Sequence, residues 1–141
     1  MKVFVSSART NREKARELMT YFEERGAEIT YDWTQLESPN ARYLDSEMEA
    51  LAARLRHGVS ICELYVLLLP GGINSHSEFG LALAWRKEVW VVTRGEFSKS
   101  EDDPAACAFY FDPHVKRVYW PIPNSVQSDT GCEQGGGEIN G

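Results

Sequence analysis

An unbroken apolar run from Leu64 to Leu69 does most to limit what this chain can fold into. The run has no polar alternation, which is typical of a strand buried on both faces of a parallel sheet, and it is too short to cross a membrane. Residues 70 to 72, Pro-Gly-Gly, predict a turn because proline lacks a backbone donor and glycine accepts positive φ. Ser75 then predicts the N-cap of a helix whose first turn carries Glu78.

Composition places the chain among ordinary globular proteins. It has 141 residues, 43% of them hydrophobic and 26% charged, which predicts one domain that can bury a core without disulfides or metal. We expect this domain to span residues 1–123. Residues 124–141 lack apolar periodicity and contain a glycine run, so they predict a disordered tail.

Charge and residue spacing exclude several classes of partner. The net charge is −6 and the basic residues are scattered, which argues against a nucleic acid polymer. No secretory signal precedes Val3, so we expect a cytoplasmic protein with no membrane partner. The histidines lie far apart, and we expect no metal and no cofactor. The cysteines lack the spacing of a disulfide framework and predict reduced thiols: Cys62, Cys107 and Cys132.

The first half of the chain predicts a β-α-β unit. Lys2 to Ser7 predicts a strand, and apolar spacing predicts a helix over residues 11–25, opened by a Thr10–Glu13 capping box and closed by Gly26. Residues 27–31 predict the second strand. A unit of this length implies a right-handed crossover and therefore a parallel sheet.

The remainder of the chain continues the alternation. A helix ends near Gly58, and its start is either Ser38-Pro39 or a point beyond a loop. Residues 89–93 and 117–120 predict the fourth and fifth strands. The whole pattern predicts an α/β fold, a flavodoxin-like or Rossmann-like doubly wound parallel sheet of five strands in the order 2-1-3-4-5.

Three segments converge at the carboxyl ends of the predicted strands, where such folds bind ligands: Ser6 to Arg9, Asp32-Trp33 and Gly71 to Glu78. The helix dipole would keep Glu78 ionised, which suits a nucleophile, and Asp32 could assist the leaving group. The residue spacing by itself favours a structural interpretation, in which Glu78 is the glutamate of a Ser75 capping box.

Other candidates in this crevice also have two interpretations. Ser6, Ser7 and Arg9 could hold a phosphate or form an ordinary polar turn. Trp33 could stack on a nucleobase or pack in the core. His76, like His57, could act as a base or serve as a loop or capping residue.

With these residues, the chain resembles the nucleoside 2-deoxyribosyltransferase-like superfamily. That superfamily includes deoxyribosyltransferases and 2'-deoxynucleoside 5'-monophosphate N-glycosidases, and it is distantly similar to TIR domains. The similarity covers residues 2–94. Glu78 occupies the position of the nucleophilic glutamate in the E-L-G-x-A motif, with Phe79 in place of leucine. Ser7 and Arg9 resemble the Gly-Ser-x-Arg turn that holds substrate, with Ser6 in place of glycine.

The resemblance implies an N-glycosidase or deoxyribosyltransferase acting on a nucleoside or nucleoside monophosphate. Catalysis would involve Glu78 with help from Asp32 or Glu63, since Glu63 stands where the family carries an aspartate. The implied substrate-binding residues are Ser6, Ser7, Arg9, Trp33, Gly71, Gly72, Asn74, Ser75 and His76. A homodimer or larger homo-oligomer is also implied. A non-catalytic nucleotide-binding module and a TIR-like NAD glycohydrolase stay open as alternatives.

Overall fold

The computed structural model describes residues 1–36 and 42–122. Five parallel strands form one sheet in the order β2-β1-β3-β4-β5, which confirms the predicted fold and strand order. The strands are β1 (Lys2–Ser6), β2 (Glu28–Ile29), β3 (Leu64–Leu68), β4 (Glu88–Thr93) and β5 (Val115–Tyr119). The predicted tail and the predicted Ser38-Pro39 helix start lie outside the described residues.

In the part of the chain that the structure describes, three α-helices connect the strands: α1 (Arg12–Glu23), α2 (Asp45–Ile61) and α3 (Ile73–Ala84). Three short 3-10 helices accompany them in the loops: Arg9–Asn11, Trp33–Gln35 and Ala108–Phe111. The chain passes from β1 to β2 on one side of β1 and then crosses back to β3 on the other side. Because such crossovers are right-handed, α1 lies on one face of the sheet and α2 and α3 lie on the opposite face. Since α2 follows β2 and α3 follows β3 along the chain, both helices begin at the edge where the strands end.

The predicted start of α1 is corrected. Thr10 falls inside the 3-10 helix, so the N-cap is Asn11, which makes no side-chain capping bond. The helix also ends earlier than predicted, at Glu23 with Glu24 as its C-cap, although Gly26 adopts the predicted left-handed conformation with a φ of 88°. The apolar side of α1 packs on the sheet, with the Phe22 ring 5.8 Å from that of Trp90.

The core centres on β3, every residue of which is buried, as the apolar run predicts. The Tyr65 ring stacks on Phe4 of β1 at 5.8 Å, with 14° between the ring planes. Above them, α2 approaches so closely that a Cβ on Gly58 would lie 2.9 Å from the Phe4 ring. Glycine at this position lets α2 lie directly on β1.

Within residues 1–36 and 42–122, no helix has both the length and the apolar character needed to cross a bilayer. The same residues contain no group of three or more His, Cys, Asp or Glu side chains arranged to hold a metal ion. Cys62 is a buried free thiol and Cys107 a half-buried one, whereas Cys132 lies outside the described residues.

Candidate functional site

A pocket opens at the carboxyl ends of β1 and β3, where the sequence predicts the ligand crevice. Seven predicted site residues share its wall: Ser6, Ser7, Arg9, Trp33, Asn74, Ser75 and Glu78. Leu36, Leu51 and Leu55 supply an apolar side. The cavity is about 30 Å³, which has room for water but not for a nucleoside. A nucleoside therefore needs more space than this cavity encloses.

Glu78 lies at the bottom of the pocket and is only 6% exposed. The Ser6 hydroxyl donates a hydrogen bond of 2.6 Å to its Oε1 atom. This contact joins the end of β1 to α3 and sets the direction of the carboxylate. Glu78 thus has a tertiary partner rather than a helix-capping one.

The capping interpretation of Glu78 is wrong because α3 begins earlier than predicted. Its N-cap is Gly72, and Ser75 is the third helical residue, whose hydroxyl accepts a hydrogen bond from the Gly72 amide. Ser75 therefore takes the capping-box role that the sequence pattern gave to Glu78. Glu78 lies in the second turn of the helix.

The expectation that Glu78 stays ionised is also corrected. Burial raises the pKa of Glu78 to about 7, and hydrogen bonds from Ser6 and Tyr65 act in the opposite direction. The helix dipole is weak here, since its effect is concentrated in the first turn. At neutral pH the carboxyl group is therefore populated in both its protonated and ionised forms.

Tyr65 belongs to this site, although the sequence analysis treated it only as part of a buried strand. Its hydroxyl donates a hydrogen bond of 2.8 Å to the Ser75 carbonyl oxygen and lies within hydrogen-bonding reach of Glu78 and Ser6. One signal was available: a tyrosine inside an aliphatic run needs a buried partner for its hydroxyl group.

Ser7 and Arg9 line the mouth of the pocket. Ser7 donates to the Pro70 carbonyl oxygen at 3.1 Å and accepts a hydrogen bond from Asn11. The Arg9 guanidinium donates to the Tyr43 hydroxyl at 2.9 Å and lies 5.3 Å from the centre of that ring. Tyr43 thereby holds a cationic group at the pocket entrance.

Trp33 is a packed core residue that also faces the pocket. Its ring is buried, and its indole N–H donates a hydrogen bond of 2.7 Å to the Val5 carbonyl oxygen. This supports the packing interpretation and fixes the ring in one orientation. The face that borders the pocket is a rigid apolar wall.

Neither Asp32 nor Glu63 is brought to Glu78. Asp32 is the N-cap of the second 3-10 helix and accepts hydrogen bonds from the Thr34 amide and hydroxyl. Glu63 immediately precedes β3 at the opposite edge of the sheet, where it is exposed and accepts a hydrogen bond of 2.7 Å from the Lys2 amide. The order of residues along a strand explains the error for Glu63, because only residues after a strand reach its carboxyl end.

Gly71 and His76 face a second cavity, of about 700 Å³, on the other side of the turn after β3. The His76 Nδ1 atom lies 2.9 Å from the Gly72 carbonyl oxygen, so it carries the proton, and Nε2 accepts from the Tyr110 hydroxyl at 2.7 Å. A Cβ on Gly71 would lie 2.8 Å from this imidazole. Gly72 itself serves as the N-cap of α3.

Comparison with known proteins shows a likeness in fold. No protein-family model matches the chain, and no curated protein matches its sequence. Among solved structures, the chain is similar to the CMP N-glycosidase BcmB of Clostridium botulinum, with a TM-score of 0.56 and 18% identity. The match covers 86% of this chain and 90% of that one. At this identity the likeness establishes a shared α/β fold.

Proposed function

We propose that the protein cleaves the N-glycosidic bond of a nucleoside or nucleoside monophosphate, with Glu78 acting at the anomeric carbon. The observation that carries the proposal is a buried carboxyl group at the edge of the sheet where the strands end, held by the Ser6 hydroxyl and with a pKa raised by burial to about 7. Strongly perturbed carboxyl groups in clefts are typical of functional sites. The similarity in fold to a CMP N-glycosidase supports the same class of reaction.

The chemistry begins with the ionised form of Glu78. Its carboxylate oxygen forms a bond to the anomeric carbon while the bond to the base nitrogen breaks, and that electron pair leaves with the base. Water then hydrolyses the glycosyl ester and regenerates the carboxylate, or a second base takes the sugar. The Ser6 hydroxyl holds Glu78 at a fixed angle, which limits the orientations from which it can attack.

Substrate binding would use the mouth of the pocket. The Arg9 guanidinium presents several donors in one plane, which suits a phosphate group, and Ser7 adds a hydroxyl beside it. A phosphate would compete with the Tyr43 hydroxyl for Arg9, so its binding would release the Tyr43 side chain from the guanidinium.

The proposal is tested by offering the protein a panel of ribonucleosides, deoxynucleosides, their 5'-monophosphates and NAD, and measuring free base by chromatography. We expect base release from at least one nucleoside or monophosphate, and its loss in Glu78→Gln. Release of nicotinamide alone would instead assign an NAD glycohydrolase. Tight nucleotide binding by calorimetry with no base release over hours would assign a non-catalytic binding module.

A further inference from the structure

The hydroxyl group of Tyr65 stands between two acceptors that it cannot satisfy together. It donates to the Ser75 carbonyl oxygen at 2.8 Å, and it also interacts with the Glu78 carboxyl group, three residues further along α3, where a hydrogen bond from Tyr65 lowers the pKa of Glu78. Tyr65 is fully buried, so water does not replace either interaction. A phenol has a single proton, and only one of the two acceptors can receive it at a time.

The state of Glu78 decides between the acceptors. When Glu78 carries its own proton, its need for a donor is small, and the Tyr65 hydroxyl keeps donating to the Ser75 carbonyl oxygen, the contact of 2.8 Å in the structure. When Glu78 is ionised, a buried negative charge is a far stronger acceptor than a neutral carbonyl group. The Ser75 carbonyl oxygen belongs to α3, where the helical backbone can still satisfy it.

We propose that Tyr65 is a positioning residue for Glu78, whose hydroxyl group turns from the Ser75 carbonyl oxygen to the Glu78 carboxylate each time Glu78 loses its proton. No covalent bond changes in this step, because the Glu78 proton leaves to solvent and the Tyr65 proton stays on its own oxygen. The ionised carboxylate is then held by Ser6 from β1 and by Tyr65 from β3, one donor on each of two adjacent strands.

Few other groups lie where they could stabilise the ionised form of Glu78. Arg9 is the one other charged residue among the described residues that line the Glu78 pocket. The helix α2 contributes Leu51 and Leu55 to that wall, and α3 contributes Asn74 and Ser75, none of which is charged. Arg9 lies at the mouth and is engaged by Tyr43. Tyr65 and Ser6 are therefore the donors on which the ionised form depends.

The inference rests on the proposed function for its meaning in catalysis, but its test does not need turnover. Carbon-13 NMR of the glutamate side chains, with Glu78 assigned from the Glu78→Gln variant, gives the pKa of Glu78 directly. In Tyr65→Phe, which keeps the ring stacked on Phe4, we expect that pKa to rise by about one pH unit, a tenfold change in the ionisation constant. The acid limb of the kcat/KM profile should move by the same amount.

The matched control is Tyr110→Phe. Tyr110 is also buried and its hydroxyl also has one partner, but that partner is His76, on the side of α3 that faces the second cavity. This variant should leave the Glu78 titration where it is. If the pKa of Glu78 rises equally in both variants, the effect of Tyr65 is one of general packing and the proposal is overturned.

A second measurement needs no substitution, should Tyr65→Phe fail to fold. In the wild-type protein, the ring carbon of Tyr65 that bears the hydroxyl should shift with pH at the same midpoint as the Glu78 carboxyl carbon. A flat Tyr65 signal while Glu78 titrates contradicts the proposal. If both signals titrate together but no base is ever released, the inference about Tyr65 holds and the proposed function fails.

Discussion

Ser6 and Glu78 are separated by 72 positions in the chain, yet the Ser6 hydroxyl donates a buried hydrogen bond of 2.6 Å to the Glu78 carboxylate. The two residues meet because β1 pairs with β3, and the turn after β3 returns the chain as α3 over the end of β1. This pairing places an acid with a raised pKa at the edge of the sheet where the strands end. A substitution of Ser6 should therefore change the pKa of Glu78 directly.

Removing the donor should move the pH dependence of the reaction. In Ser6→Ala the Glu78 carboxylate loses a partner, so its pKa should rise above about 7, by about one pH unit. The pH at which base release is half-maximal should rise with it. Ser77→Ala is the matched control, because the Ser77 hydroxyl bonds only to the Ile73 carbonyl oxygen on the exposed side of the same helix. A Ser6→Ala profile identical to wild type would contradict the assigned contact.

The raised pKa of Glu78 also predicts that the stability of the fold depends on pH. Glu78 has a pKa of about 7 in the folded chain and an ordinary value of 4.5. Between these values the folded state binds a proton that the unfolded state releases, so the free energy of unfolding should fall as pH rises through this window. The total fall is about 3 kcal/mol. Urea denaturation at several pH values measures it.

The Glu78→Gln variant should lack this fall, since its side chain does not ionise. The difference in unfolding free energy between the variant and the wild type should grow in favour of the variant from pH 4.5 to about 7, then level off. A difference that is constant across this range would show that Glu78 does not titrate there.

Only part of this site could be predicted from the sequence. The apolar run of β3, the glycine turn and the helical spacing predicted the sheet order and the edge at which Glu78 lies, because those features follow from local periodicity. The partner of Glu78 could not be predicted in this way. Ser75 fits an N-cap locally, but in the structure α3 starts at Ile73 with Gly72 as its N-cap. Glu78 then lies in the second turn of the helix, where it accepts a hydrogen bond from Ser6 of β1.

Similar reasons explain the other misplacements. His76 and Glu78 are two residues apart, and a helix turns residues at this spacing to opposite sides, so the two side chains face different cavities. Asp32 does follow a strand as predicted, but its carboxylate accepts a hydrogen bond from the nearby Thr34 amide. Short-range capping competes with any role in the pocket, and the sequence alone does not rank the two.

Asp32 should matter for stability and not for the reaction. Asp32→Ala removes the cap of the 3-10 helix that carries Trp33 and should lower the unfolding free energy by about 1 kcal/mol. Asp32→Asn keeps a side-chain oxygen for the Thr34 amide and should restore most of that loss. Thermal denaturation compares the variants. A folded Asp32→Asn protein that has lost base release would instead identify Asp32 as the acid for the leaving group.

The substitution Gly58→Ala tests how closely α2 lies on β1. Alanine normally favours a helix over glycine by about 1 kcal/mol, but here its Cβ would lie 2.9 Å from the Phe4 ring that stacks on Tyr65. Overpacking costs about 1 to 3 kcal/mol, so Gly58→Ala should be destabilising overall. Gly80→Ala in α3 is the control, because nothing lies within 4 Å of its Cβ and alanine should stabilise it. Chemical denaturation of both gives opposite signs if the packing is as described.

The most direct test of the account is base release by Glu78→Gln beside Glu63→Gln, using the best substrate from the nucleotide panel. Glu78 is the buried carboxyl group at the ligand-binding edge, whereas Glu63 is an exposed carboxylate at the other edge of the sheet. The account predicts that Glu78→Gln lowers kcat by at least about a thousandfold, a loss of about 4 kcal/mol of transition-state stabilisation, while Glu63→Gln stays at the wild-type rate. Turnover near the wild-type rate in a folded Glu78→Gln protein would contradict it.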